Sequence, residues 1–137
     1  MIAIAVASAV ACGGSSSPSS PSTNAIAAFA GTWTAATLPS GSADLPGCTD
    51  FRYSVTPTGA AAASIAYSTT CSGLAVSGTG NGAVSGPTLN WTTIGSAGPC
   101  AFSLGGAATA SGASDLGLTY SGTVCGIPIN GEQTLHK

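Results

Sequence analysis

Leu116, Leu118, Tyr120, Gly122 and Val124 fall on every second position of one stretch, with polar or small residues between them. Phe51, Tyr53 and Val55 alternate with Arg52, Ser54 and Thr56, and Ile65, Tyr67 and Thr69 with Ala66, Ser68 and Thr70. A period of two puts one face of an extended chain in a core and the other in water. No stretch carries the 3.6-residue apolar stripe of a surface helix. The runs are separated by Gly, Pro, Ser and Asn clusters that read as turns. Eight strands are predicted, near 31–37, 50–57, 63–71, 74–84, 88–94, 100–108, 115–125 and 129–136. The turns fall at 57–59, 71–73, 85–87, 95–99, 111–113 and 126–128. In the fourth strand Asn81-Gly82 is also a hairpin signal, so 74–84 has folding back on itself as an alternative.

The expected fold is all-β, a small antiparallel up-and-down barrel of about eight strands, with a two-sheet sandwich as the alternative. A closed barrel has no edges. That suits a chain with almost no Lys or Glu to guard them. A weak internal repeat points the same way. Trp33-Thr34, Cys48, Phe51, Tyr67-Ser68 and Cys71 match Trp91-Thr92, Cys100, Phe102, Tyr120-Ser121 and Cys125 at offsets of 51 to 58 residues. Two equivalent four-stranded halves would close into one barrel; chance likeness among Ser/Thr/Gly-rich strands is the other reading.

Five Cys leave one unpaired: Cys12, Cys48, Cys71, Cys100 and Cys125. The midpoint of Cys48 and Cys71 falls on the Thr58-Gly59 turn, and that of Cys100 and Cys125 on Gly112. Hairpin geometry therefore favours Cys48–Cys71 and Cys100–Cys125, each stapling the open end of one hairpin. The rival pairing is Cys71–Cys100 with Cys48–Cys125. Cys71 and Cys100 are in phase with their apolar faces, whereas Cys48 and Cys125 are out of phase. Facing residues should share a face. A bulge, or Cys48 and Cys125 lying just outside their strands, would remove the conflict.

The chain begins with an uncharged apolar run, Ile2 to Val10, which is too short to span a bilayer. It runs into Ala9-Val10-Ala11-Cys12, which resembles the lipobox of bacterial lipoproteins, departing at Ala9 where that family usually has Leu. The resemblance implies a signal peptide at 1–11, a lipidated Cys12 and a membrane anchor in the bacterial cell envelope, facing the periplasm or the cell surface. Lipidation of Cys12 also accounts for the odd Cys. The same residues fit the A-x-A pattern of ordinary secretion. No Lys or Arg precedes the run, so the true start is expected upstream unless the leader is unusually bare. Gly13 to Asn24 is a Gly/Ser/Pro tract of twelve residues. As a flexible chain it would span roughly 19 Å. The expected organisation is thus leader 1–11, lipidated Cys and tether 12–25, and domain 26–137.

Arg52 and Lys137 stand against Asp44, Asp50, Asp115 and Glu132, which are the only charges in the chain. Two basic groups cannot make the patch that nucleic acid binding requires. The spaced Leu, Ile, Val and aromatics argue for a core, which disulfides would reinforce in so small a domain. His136 is the only His and sits next to the end of the chain, where a base has no rigid support. Asp44 and Asp50 flank Cys48, but one pair without a D-x-D-x-D-G loop reads as solvated acids. The Cys lack metal spacing, and no Gly-rich phosphate loop is present. Neither a metal, a cofactor nor an enzymatic activity is expected.

Phe29-Ala30-Gly31-Thr32-Trp33 resembles the G-x-W signature at the first strand of lipocalins and related calycin barrels. The resemblance implies that Gly31 lets the chain enter the barrel and that Trp33 plugs its closed end. Tyr120 to Leu135 is similar to the last hairpin of small lipocalin-like bacterial lipoproteins. Lipocalins place an Arg near the last strand against the Trp; here His136-Lys137 stands there. Gly-Thr-Trp also opens avidin-like barrels, and Leu89-Asn90-Trp91-Thr92 resembles an inner strand of that family. Biotin sites there are walled by several Trp, so Trp33 and Trp91 alone do not suggest biotin. Two functions follow: a barrel holding a small apolar ligand, as in lipocalins, or a structural or protein-interaction module on the cell surface. An interior cavity above about 300 Å³ would favour the ligand, and a solid core the module.

Overall fold

The computed structural model describes residues 24–37 and 48–137, with the backbone alone at 36–37. The expected leader, Cys12, the tether as far as residue 23, and Asp44 lie outside the described residues. Eight strands are present: β1 (Gly31–Thr37), β2 (Cys48–Pro57), β3 (Ala62–Cys71), β4 (Leu74–Ser85), β5 (Thr88–Ala97), β6 (Cys100–Ser111), β7 (Asp115–Val124) and β8 (Ile127–His136). They pair antiparallel in chain order and close into one barrel, β1 meeting β8 at Thr34 and His136. The sandwich alternative is excluded. β4 runs unbroken through Asn81-Gly82, which pair with Thr92 and Trp91 of β5 rather than turning. β5 continues past the expected turn at Gly95 as far as Ala97, and β8 begins at Ile127 within the turn expected at 126–128.

Register explains how so narrow a barrel is filled. One row across the sheet reads Gly82, Trp91, Gly106, Tyr120, Gly131. Each large inward ring is flanked on both sides by glycine. A Cβ at Gly131 would lie 2.6 Å from the Tyr120 ring, and one at Gly78 2.7 Å from Phe102. The inward glycines are therefore seats for rings on neighbouring strands, not empty space. At Gly80 and Gly106 a Cβ would instead strike the backbone of Thr92 and Thr119. These two positions let strands bend at close approach, as barrel corners require.

One end is plugged. Asn24 leads into a 3₁₀ turn, Ala25–Ala28, which the sequence pattern did not reveal and which begins inside the expected tether. Four residues are too few to show a helical period. Ile26 is fully buried, and its N–H donates to the Ala60 carbonyl at 3.1 Å. Phe29 and Trp33 are buried beside it, and Trp33 Nε1 donates to the Phe29 carbonyl at 2.7 Å. Lys137 Nζ lies 4.4 Å from the centroid of the Trp33 ring and also donates to the Ala30 carbonyl. A cation over an indole is favourable, so Lys137 does what the departure from the Arg pattern left open. Gly31 has φ +113°, and a Cβ there would lie 2.7 Å from Lys137 Cε. Only glycine meets both conditions.

The other end is stapled. Cys48 is bonded to Cys71, and Cys100 to Cys125. The phase conflict is resolved in both ways that were open. Between Thr49 and Arg52 strand β2 carries one more residue than β3, with Asp50 at φ +54°. This bulge moves Cys48 onto the inward face, where it is buried. Cys125 instead lies just past β7, also at φ +54°, with its N–H on the Ala101 carbonyl at 3.1 Å.

Candidate functional site

The stapled end of the barrel holds an apolar cavity of about 100 Å³. Val76, Ala97, Phe102, Leu104, Val124 and Ile129 wall it, with Tyr67 on its inner side. These residues arrive from six strands, from inward positions toward this end. Leu74, which also lines the cavity, and Ile127 at the same end are 44% and 64% exposed. Among the described residues the barrel therefore has an apolar rim here and none at the plugged end.

Deeper in, edge-to-face rings fill the centre. Phe51 meets Tyr67 at 4.7 Å, Tyr67 meets Phe102 at 6.0 Å, and Tyr53 meets Trp91 at 5.5 Å between ring centroids. Such pairs add to burial energy and leave little room. A second void of about 10 Å³ remains, lined by Phe51, Tyr67, Trp91, Leu104, Leu118 and Tyr120. That is about the space of one water molecule. Tyr67 and Leu104 line both voids and form the partition between them.

The interior is not wholly apolar. Tyr53 Oη, Trp91 Nε1, Thr93 Oγ1 and both polar atoms of the Gln133 amide are buried without a hydrogen-bond partner among the described residues. Thr69, also buried, is satisfied: its hydroxyl donates to the Thr49 carbonyl at 2.7 Å. Burial pushes the Tyr53 and Tyr67 hydroxyls far above their usual pKa, with the charge of Tyr120 adding to the effect at Tyr67. Both stay neutral donors at any ordinary pH. Thr93 and Gln133 were legible as polar residues at inward phase, between Trp91 and Gly95 and between Gly131 and Leu135; the sequence reading passed over them.

Outside, Ser54, Ser64, Ser68, Ser77, Thr79 and Thr92 face away from the core along β2 to β5. This polar wall with an apolar interior is the reverse of what a bilayer-spanning barrel presents to lipid. Hollows of about 520 and 670 Å³ on this wall are open troughs in which Ser and Thr mix with Ile94 and small residues, and another of about 400 Å³ lies across β6 to β8.

The structure corrects one expectation. His136 does not fray: it lies in β8, and its Nδ1 is 2.7 Å from Asp115 Oδ1. Strand pairing orients both, since Asp115 and His136 face each other in register. The nearby Thr34 hydroxyl donates at 3.4 Å to the His136 carbonyl rather than to its ring. No cluster of His, Cys, Asp and Glu able to hold a metal is found among the described residues.

These features define a closed eight-stranded barrel, plugged at one end and apolar at the other. No protein-family model and no curated protein sequence matches the chain. Among solved structures it is similar to a redesigned β-barrel, mFAP1, determined bound to DFHBI. The match has 19% identity and a TM-score of 0.63, and covers 83% of this chain and 99% of that one. At this identity the likeness is one of fold.

Proposed function

We propose that this chain is an exported, lipid-anchored barrel that holds a small apolar group in the cavity at its stapled end. The cavity of about 100 Å³ and its apolar walls carry the reading. Apolar cavities of this order stay dry and accept benzene-sized guests. That is well below the roughly 300 Å³ of a drug-sized site. The guest is therefore one ring or a short alkyl group, or the tip of something larger whose remainder lies on Leu74 and Ile127. The barrel to which this one is similar in fold was determined bound to DFHBI, which agrees with a ligand in such a frame. The lipobox-like Ala9-Val10-Ala11-Cys12 and the tract after it support the anchor. Intact-mass spectrometry of the protein from its native host should show an acylated Cys12, and Cys12→Ser should release the protein from membranes.

The ligand reading is tested by titrating toluene into the labelled protein and following methyl resonances. Val76, Ala97 and Val124 should shift, while Leu135 at the far end should not. Ala97→Leu should fill the cavity and abolish the shifts. No shift at any concentration would favour the second reading, a solid module for protein interaction, which the close-packed rings at the centre support. In either case the chain acts by binding. Its only His gives one ring nitrogen to Asp115, and no nucleophile contacts that ring among the described residues. Ester hydrolysis that disappeared with His136→Ala would overturn this.

A further inference from the structure

We infer that the guest of the end cavity is a neutral molecule carrying a hydrogen-bond acceptor, received by Trp91 Nε1 on the inner face of β5. The inference rests on the cavity reading above and names the ligand class. Two independent observations carry it.

The first is an unpaired donor. Trp91 is 4% exposed, and its Nε1 meets no partner among the described residues. An indole N–H only donates, so what satisfies it must accept. Tyr53, edge-on to Trp91 and likewise unpaired, adds a neutral hydroxyl behind it.

The second is the partition. Trp91 lines the inner void, and only Tyr67 and Leu104 are shared between that void and the end cavity. Tyr67 is held by rings on both sides, Phe51 and Phe102. Leu104 is flanked in register by Thr93 and Gly122, which are small. Leu104 is therefore the side chain with room to turn. If it turns, the two voids join into one path from the rim to Trp91. An apolar body would remain in the outer cavity while its acceptor reached inward. Among the described residues no charged side chain lines either void, so an ionised ligand would be buried without a counter-charge. The class is a neutral ketone, ester or ether on a small hydrocarbon frame.

Acetophenone and ethylbenzene test this, since they share a shape and differ in the acceptor. The ketone should bind about tenfold more tightly, the usual worth of one added hydrogen bond. It should also move the Trp91 indole N–H resonance and leave that of Trp33, already bonded to Phe29, unchanged. Trp91→Phe should erase the preference while ethylbenzene still binds. Should that variant not fold, the unmutated protein decides, since its Trp91 resonance should move with acetophenone and stay with ethylbenzene. Equal affinities, or ketone binding with the Trp91 resonance unmoved, would overturn the inference and leave the cavity reading standing. Binding of neither compound would bring down both.

Discussion

Trp33 and Trp91 hold matching places in the two halves of the barrel, and both are buried. They differ in what their N–H meets. Trp33 donates to Phe29, is covered by Lys137, and packs with Ile26 into a closed end. Trp91 donates to nothing among the described residues and borders a void that leads toward an apolar rim. One tryptophan completes the fold, and the other retains an unmet bond. A buried unpaired donor is destabilising by about 1–3 kcal/mol, a cost that a chain selected for stability alone would shed. With the ligand proposed above, the contrast would put stability at the plugged end and binding toward the stapled one.

The contrast breaks first at Trp33. Trp33→Ala should destabilise by about 3–5 kcal/mol, since it empties a fully buried aromatic site and strands the Phe29 carbonyl. A small domain can lose little more than that. Urea unfolding followed by circular dichroism measures it. A loss below about 1 kcal/mol would show that the plug is decoration.

The staples come next. Cys100 and Cys125 are 25 residues apart, and Cys48 and Cys71 are 23 apart. Loops of this size give roughly 3 kcal/mol each in the chain-entropy model. Replacing Cys100 and Cys125 together by Ala should lower stability by about that amount. Toluene binding should weaken as well, because the cavity lies at the end this bond closes. Unchanged binding in a destabilised protein would separate the staple from the site.

A matched pair of substitutions sharpens the comparison further. Trp33→Phe and Trp91→Phe each remove similar volume. Trp33→Phe also breaks a buried hydrogen bond, which should add about 1 kcal/mol or more to its cost. Trp91→Phe removes an unpaired donor and should be milder by that margin. Equal losses would mean that Trp91 has a partner after all.

Most of the barrel was legible because alternation, turn residues and Cys spacing agree along β2 to β8. Nothing local competes with a period of two in Leu116 to Val124. The plug was not legible, because four residues of 3₁₀ turn carry no period and the expected tether ran to residue 25, directly against Ile26. Nor was the role of the inward glycines. Gly78 and Gly131 gain a purpose only when the fold sets Phe102 and Tyr120 over them, and Gly82 when Leu89 and Ile65 close on it, placements that belong to several strands rather than to one. The same holds for the candidate site. Val76, Ala97 and Ile129 are unremarkable apart in sequence, and only closure brings them round one cavity. Thr93 and Gln133 did carry a signal, a polar residue at inward phase.

The smallest effect belongs to the one ion pair among the described residues. Asp115 and His136 make a short contact, yet their side chains are 50% and 63% exposed. Solvent screens such a pair, and pairs of this kind are typically worth under about 1 kcal/mol. It sits beside the place where β1 and β8 close the barrel, so its worth decides whether closure depends on side chains or on backbone. The pair should be dispensable, because the Lys137 N–H on the Ser114 carbonyl and the Lys137 side chain at Ala30 and Trp33 hold the same corner. Asp115→Asn should therefore change stability by less than about 0.5 kcal/mol and leave amide exchange across β8 as it was. Faster exchange from Gln133 to His136 in that variant would show that the seam depends on the pair. The two ends would then no longer divide cleanly, since the plugged end would contain a weak joint of its own.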